Sequence, residues 1–566
     1  MSLIGALNVG KSALATHQAA IQVTSNNVAN AGNPDYTRQV ARVVPKRDYQ
    51  LRPGMLIGSG VNLESIERQI DAALEDRIRG SISDSEMASS RQLWLGRVES
   101  IFHEMGDDDL SSQMNAFFGA WSDLAGKPQD MGLRQIVITR GEALAGTMRD
   151  LRAGLDSLQG DVARRMEALV RDANGLARQV ADLNRQIVTA EGGAQGLANG
   201  LRDQRDAVLK RLSELMDVKV VETSEGVVNV LAGSEPIVLG DTNRGLAFGQ
   251  ETVNGQLVPR VLIASDQAGI QVSSGQIGAL FSLRQEIGGT LGQLDDLAGG
   301  LIFELNKLHA QGQGLEGLTD ITGGIVVDDP AAALNSTAAG LEFAPVNGSF
   351  VVHLKQKVTG LTSSTLIQVD LDGLNGDDTT LNALAAALDG IDGLSATVTG
   401  GQLRITTDGA GGEFSFSQDS SGVLAALGIN VFFTGTGAQD IGVNAAVKAR
   451  PGLLAAAGNG QVGDNATART IADLASRPLA SLEGISLEEA YERMINQTAV
   501  SASGARTSAT AAASVRETLL SQREALSGVS LDEEAINLIR EQRAFQAAAR
   551  LIAAVDEMMR TLISLV

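Results

Sequence analysis

Leu538, Phe545, Ile552, Met559 and Val566 recur every seven residues up to the last position, and Ala548, Val555 and Leu562 stand three places after three of them. Seven residues make two helical turns, so all eight fall on one stripe of one helix. Chain ends fray unless packing holds them, so this stripe has to be buried against something. The opposite end supplies a candidate. Starting at Leu3, positions Leu7, Gly10, Leu14, His17, Ile21, Thr24 and Val28 follow alternating spacings of four and three, with alanines thickening the same face. This pattern admits either a coiled coil between the two ends or an ordinary helix pair in a bundle.

The first helix runs into NNVANAGNPDYTRQ, residues 26 to 39. Asn30 and Asn33 can turn the backbone through their side chains, Gly32 tolerates a positive φ, and Pro34 keeps Asn33 out of the helical region. The helix therefore ends here. A plain stop would not need Tyr36, a ring with a polar handle, or Arg38, a directional ion-pair donor.

The rest of the chain reads as several domains, roughly three to five for 566 residues. Long helices are expected over 62–120 and 131–220 with polar breaks, among them a glycine loop at EGGAQGLANG. Residues 218–239 are β-branched around Glu225 and Gly226, which predicts a hairpin, and another helix is expected at about 276–309. Residues 345–417 hold several short strands. Gly400 and Gly401 there make a two-residue hairpin link, with Val398, Leu403 and Ile405 turned toward a core. A short helix at 379–391 within this region takes Thr379 or Thr380 as its cap.

Chemistry is sparsely represented. Cysteine is absent, which removes disulfides and thiol nucleophiles. His17, His103, His309 and His353 have no metal-site spacing, and the net charge of −22 argues against a nucleic-acid partner. DLDGLNGDDT at 370–379 places Leu374 where an EF-hand needs its third oxygen, so it reads as a solvated acidic loop. The GxSxG motif is missing, no apolar run can span a bilayer, and the N-terminus lacks a cleavable signal pattern, so any export is expected to use another route.

The segment SLIGALNVGKSALATHQAAIQVTSNNVANAGNPDYTRQ resembles the signature shared by bacterial flagellar rod, hook and junction subunits, through Leu14, Gln18, Ile21, Ser25, Asn26, Asn27, Ala29, Asn30, Pro34, Tyr36 and Arg38. Four further stretches narrow the resemblance to the hook-associated protein 1 family, the hook-filament junction proteins. These are LRDQRDAVLKRLSEL, ELNKLHAQGQGLEG at 304–317, LAALGINVFFTGTGAQDIGV at 424–443 and SGVSLDEEAINLIREQRAFQAAARLI. Nearly the whole chain takes part except 319–417.

The resemblance implies a multidomain α+β fold with paired N- and C-terminal coiled-coil helices, an α-rich inner domain and a mostly β outer domain. Its boundaries would be 1–60 with 525–566, 61–318 with 436–524, and 319–435. It also implies a non-enzymatic adaptor at the hook-filament junction, forming a homo-oligomeric axial layer in the extracellular flagellum. The implied partners are the hook protein, a second junction protein, the flagellar export apparatus and a dedicated chaperone, with no cofactor. A hook or rod subunit, or a surface-appendage enzyme using the outer domain, are the other readings. Catalytic, cofactor and metal roles are assigned to no residue. The assembly candidates are Leu3, Leu7, Leu14, Ile21, Val28, Asn30, Tyr36, Arg38, Leu538, Phe545, Ile552, Val555, Met559, Leu562 and Val566, with the polar groups of Asn26 to Arg38 expected against neighbouring subunits or the adjoining domain.

Overall fold

A computed structural model describes residues 3–52, 55–103, 109–192, 198–253, 256–409 and 411–564. It is a multidomain α+β protein with two compact units, the first built from residues 1–94, 161–283 and 502–566, the second from 95–160 and 284–501.

In the first unit the helix Leu3–Ala29 packs antiparallel along the C-terminal helix Leu531–Ser564. Three contacts set the direction: Gly10 lies against Ile552, the His17 ring meets Glu541 at 2.7 Å, and Asn27 reaches Glu534 at 3.0 Å. The helices approach closely at Gly10, since a Cβ there would come within 2.8 Å of Ile552 Cγ1. Val555 and Ala548 are buried in this seam, while Leu538, Phe545, Ile552 and Met559 are half-buried. On the partner helix Leu3, Leu7, Leu14 and Ile21 are half-buried, and Ala20, Val23, Thr24 and Asn27 are buried. Val28 and Leu562 are exposed in the chain, and Val566 lies outside the described residues. Val28 turns outward because its neighbour Asn27 takes the inward position, and consecutive helical residues point about 100° apart.

The expected helix over 62–120 does not begin at 62. Val61–Arg68 is a strand, paired antiparallel with Gln39–Pro45 through a bulge at Arg42 and Val43, and the helices are Ala72–His103 and Leu110–Gly126. VNLESIER carries Val61 and Leu63 at strand spacing, and its partner strand is remote in sequence, which local helical periodicity cannot register. The helices Met131–Glu191 and Asn199–Leu215 follow, and residues 193–197 of the glycine loop lie outside the described set. The predicted hairpin at 218–239 is the start of a larger run. Lys219–Glu222, Val228–Ala232, Glu235–Leu239 and Thr242–Asn243 form a four-stranded meander, and Leu246–Val253, Gln256–Ile263 and Gly269–Ile270 form a second sheet.

The second unit contains most of the predicted β region. Gly348–Gln356 lies between Thr362–Val369 and Gly412–Ser417, and Gln402–Thr407 lies between Asp320–Thr322 and Leu394–Thr399, all antiparallel. Gly400 and Gly401 have φ of 58° and 77°, the two positive values that a type I′ turn requires. Helix Leu381–Asp389, capped by Thr380 through the Ala383 N–H, buries Leu381, Leu384 and Leu388 with Phe350, Phe414 and Phe416 in one core.

Candidate functional site

The turn after the first helix carries a connected set of polar contacts. Asn33 accepts the Asp35 N–H on its side chain and the Tyr36 N–H on its carbonyl. Gly32 is not among the glycines with positive φ, so the bend does not use its conformational freedom. Asn27 is buried at the centre. Its amide donates to the Gln39 carbonyl at 2.9 Å and to Glu534, while its oxygen accepts from the Tyr36 hydroxyl at 2.8 Å and the Gln39 N–H at 3.0 Å.

Arg38 completes the joint from the other side. Its Nε and Nη2 donate to Glu534 Oε1 at 3.0 and 2.8 Å, its Nη1 faces Glu533 and Gln69, and its backbone N–H donates to the Ser527 carbonyl. Glu534 is 2% exposed, so this is a desolvated charge pair whose remaining lone pairs are met by Asn27 and Asn537. Below it Arg523 donates to Glu75 at 2.7 Å and to the Pro34 carbonyl at 2.9 Å. The Tyr36 hydroxyl is pushed up to about 12, first by burial and then by the negative charge of Asp203.

Tyr36 and Arg38, expected against a neighbouring subunit or the adjoining domain, make these contacts within the chain and link the first helix to the last. Arg38→Ala is expected to lower stability by about 3 kcal/mol, because it leaves the Glu534 carboxylate buried without its cation. Tyr36→Phe, which removes the hydroxyl's bonds to Asn27 and from Asn26, is expected to cost about 1–2 kcal/mol. Urea unfolding of both variants checks the ranking, and equal effects would contradict it.

The helix Asn199–Leu215 anchors this joint through the charged residues of LRDQRDAVL, whose partners its helical spacing does not indicate. Asp203 and Asp206 accept from Arg68 at 2.9 and 2.6 Å, and Asp203 also faces the Thr37 N–H. One position back on the helix, Arg202 pairs with Glu191 and Glu222, and Arg205 donates to Asn184 at 3.0 Å and to the Gly226 carbonyl at 2.8 Å. Two arginines and two aspartates at spacings of three thus serve two adjoining faces. Gly226 has φ 79° and no room for a Cβ beside Arg202, so the hairpin tip is fitted to the arginine.

In the second unit the motif around Asn306 and His309 is a buried lock. Asn306 donates to the Phe433 carbonyl at 2.8 Å and accepts from the Phe432 and Phe433 N–H groups at 3.0 Å each. His309 has Nδ1 2.8 Å from the Asn430 carbonyl, and its Nε2 accepts from the Ala455 N–H at 3.0 Å, which sets one neutral tautomer. Trp121 and Phe432 meet the imidazole with edge-on and tilted ring contacts, and Phe117 and Phe433 continue the aromatic cluster behind them. Both ring nitrogens are used, so this histidine is held as a structural element.

Burial depresses the His309 imidazole from 6.5 to about 4. The unfolded chain therefore takes up a proton that the folded chain refuses. The contribution of this residue is complete above pH 6.5 and is lost as pH falls toward 4, by up to about 3 kcal/mol. Unfolding free energies of the wild type and His309→Asn between pH 7.5 and 4 are expected to converge as pH falls. Parallel curves would contradict the assignment.

The other two histidines whose side chains are described have different settings. His17 is in the helix seam, and His353 stands 2.7 Å from the hydroxyls of both Ser364 and Ser417, with burial lowering its pKa. Asp370, Asp372 and Asp378 form the group of possible metal ligands among the described residues. Their oxygens accept backbone N–H groups of the loop itself, from Asp372, Leu374 and Gly373.

Residues 95–324 match the family model described as flagellar hook-associated protein FlgK helical domain, 521–565 match flagellar basal body rod FlgEFG protein C-terminal, and 7–34 match flagella basal body rod protein. Flagellar hook-associated protein 1 of Salmonella typhimurium is 25% identical over 579 residues, covering 99% of each chain. The protein of the same name from Bacillus subtilis is 25% identical over 575 residues, covering 99% of this chain and 97% of that one. The flagellar hook junction protein FlgK from Burkholderia pseudomallei has the same fold with a TM-score of 0.50 at 16% identity, covering 80% of this chain and all of that one.

Proposed function

Since the chain belongs to the flagellar hook-associated protein 1 family, we propose that it is a non-enzymatic structural adaptor joining the flagellar hook to the filament. The observation that carries this reading is the extent of the match, which runs end to end along proteins of that name. A rod or hook subunit would account for the two terminal matches, but not for the hook-associated helical domain between them. No enzymatic family is indicated by these matches.

The adaptor acts in the extracellular flagellum as a repeated axial layer, reached through the flagellar export apparatus with a dedicated chaperone. It contacts the hook protein on one side and a second junction protein on the other. The antiparallel terminal helices support this assignment, because they form a rod whose outer face carries Leu531, Ile536, Ile539, Met558 and Ile563 in exposed positions. The division into a terminal assembly domain at 1–60 and 525–566, an inner domain at 61–318 and 436–524, and an outer domain at 319–435 belongs to the same proposal.

Cryo-EM of isolated hook-filament junctions carrying a density tag inserted at the exposed turn after Gly373 tests it. The tag is expected in a layer between hook and filament. Tag density along the hook or the rod would replace this reading with the hook or rod subunit.

A further inference from the structure

The second unit carries a polar cleft of about 740 Å³, a volume in the usual range for small-molecule sites. One wall is the outward face of the strand Gly348–Gln356 and its two neighbours, where His353 and Lys355 stand. Residues 311–313 and 458–470 contribute the other. Lys355, Thr362, Ser415, Gln313 and Gln418 line the cleft, and their side chains make no hydrogen bond or ion pair among the described residues.

Lys355 is left unpaired by the strand register. Glu413 lies directly opposite it across the strands, but that carboxylate is taken by Lys357 at 2.7 Å. His353 is held between the Ser364 and Ser417 hydroxyls, and burial lowers its pKa, so the ring is neutral at pH 7. Lys355 therefore supplies the positive charge of the lining. In a chain with 67 acidic residues against 45 basic ones, the described lining holds no aspartate or glutamate. Its apolar side chains are Leu308 and Ala466, too little surface to hold a hydrophobic ligand.

Gln418 adds an independent sign. Its φ is 55°, and the turn that follows is fixed by buried Asp419, which accepts the Ser421, Gly422 and Leu424 N–H groups. Glycine would take that conformation without strain, so the turn itself does not need the amide that Gln418 brings to the cleft.

We propose that the cleft binds a carboxylate-bearing, hydroxyl-rich small molecule of the uronic acid type, with its carboxylate at Lys355 and its hydroxyls on Gln313, Thr362, Ser415 and Gln418. Amides and hydroxyls both donate and accept, which matches sugar hydroxyls, and the lysine selects the acid over a neutral sugar. This site does not depend on the adaptor role.

Isothermal titration calorimetry of the full chain with trigalacturonate is the test, with maltotriose as the neutral counterpart and inorganic phosphate as the bare anion. Trigalacturonate is expected to bind about tenfold more tightly than either. Lys355→Glu is expected to lower its affinity about tenfold, and Lys46→Glu, the same charge change at an exposed position of the first unit, to leave it within about twofold. Gln418→Gly separates a binding role from a structural one. Relief of the positive φ is expected to keep or raise the unfolding temperature, while the affinity falls severalfold. No heat with millimolar trigalacturonate, equal binding of maltotriose, or unchanged affinity in Lys355→Glu or Gln418→Gly would each overturn the proposal. Phosphate binding as tightly as the saccharide would mean an adventitious ion only and would overturn it as well.

Discussion

Val555→Asp is expected to separate the first helix from the last. Val555 is 1% exposed in the seam, so a carboxylate placed there is taken out of water. The cost of burying it is about 3–5 kcal/mol, more than the exchange of a surface side chain ever costs. Ile552→Asp with Met559→Asp is expected to act in the same direction through two half-buried positions, one of them against Gly10. Glu557→Asp with Arg560→Asp, both on the exposed face, is expected to be nearly neutral. Hydrogen exchange over 3–29 and 531–564 reads the separation directly, and the fraction of exported protein bound to purified hooks reads its consequence. On the proposed flagellar export route, export is expected to continue, since a chain exported unfolded has no seam to bury. Unchanged exchange protection in Val555→Asp would show that the seam does not hold the ends together.

Asn306→Leu is expected to be the most damaging single change in the second unit. The two side chains are close in size, so the loss is polar. The Phe432 N–H, the Phe433 N–H and the Phe433 carbonyl all lose their partner in a dry aromatic cluster. At about 1–3 kcal/mol for each orphaned group, the sum is about 3–9 kcal/mol, and the unfolding temperature is expected to drop by about 10 °C or more. Lys307→Leu, one residue away and partly exposed, is expected to leave it within about 2 °C. A drop no greater for Asn306→Leu than for Lys307→Leu would remove the motif from the list of structural locks.

Much of the first site could be read from spacing. The stripe through Ala548, Val555 and Leu562 continues toward the N-terminus by sevens to Glu541 and Glu534. Charged residues in an apolar column signal a buried pair, and these two carboxylates meet His17, Asn27 and Arg38. That signal was available in the sequence and identifies Glu534, which the apolar pattern alone passes over. Nothing comparable pointed to Arg523 and Glu75, because their partners are separated by hundreds of residues and neither lies in an apolar repeat. The β region at 345–417 was legible for a local reason. Its hairpin link is two glycines, and its short helix carries its own threonine cap. The strand Val61–Arg68 was not, since its partner at 39–45 is reached through a loop and supplies the pairing that overrides a helical reading.

Periodicity by itself determined that the two ends of this chain are helices with one apolar face each, and the residue types at the turn determined where the first of them stops. These are properties of neighbours within a few positions, where backbone geometry fixes which side chains share a face. Which residues of the turn remained free was decided only in the folded chain. Tyr36 and Arg38 are drawn inward because burial of Asn27 and Glu534 creates donors and acceptors that must be met, and that demand arises only when residues about 500 positions apart are brought together.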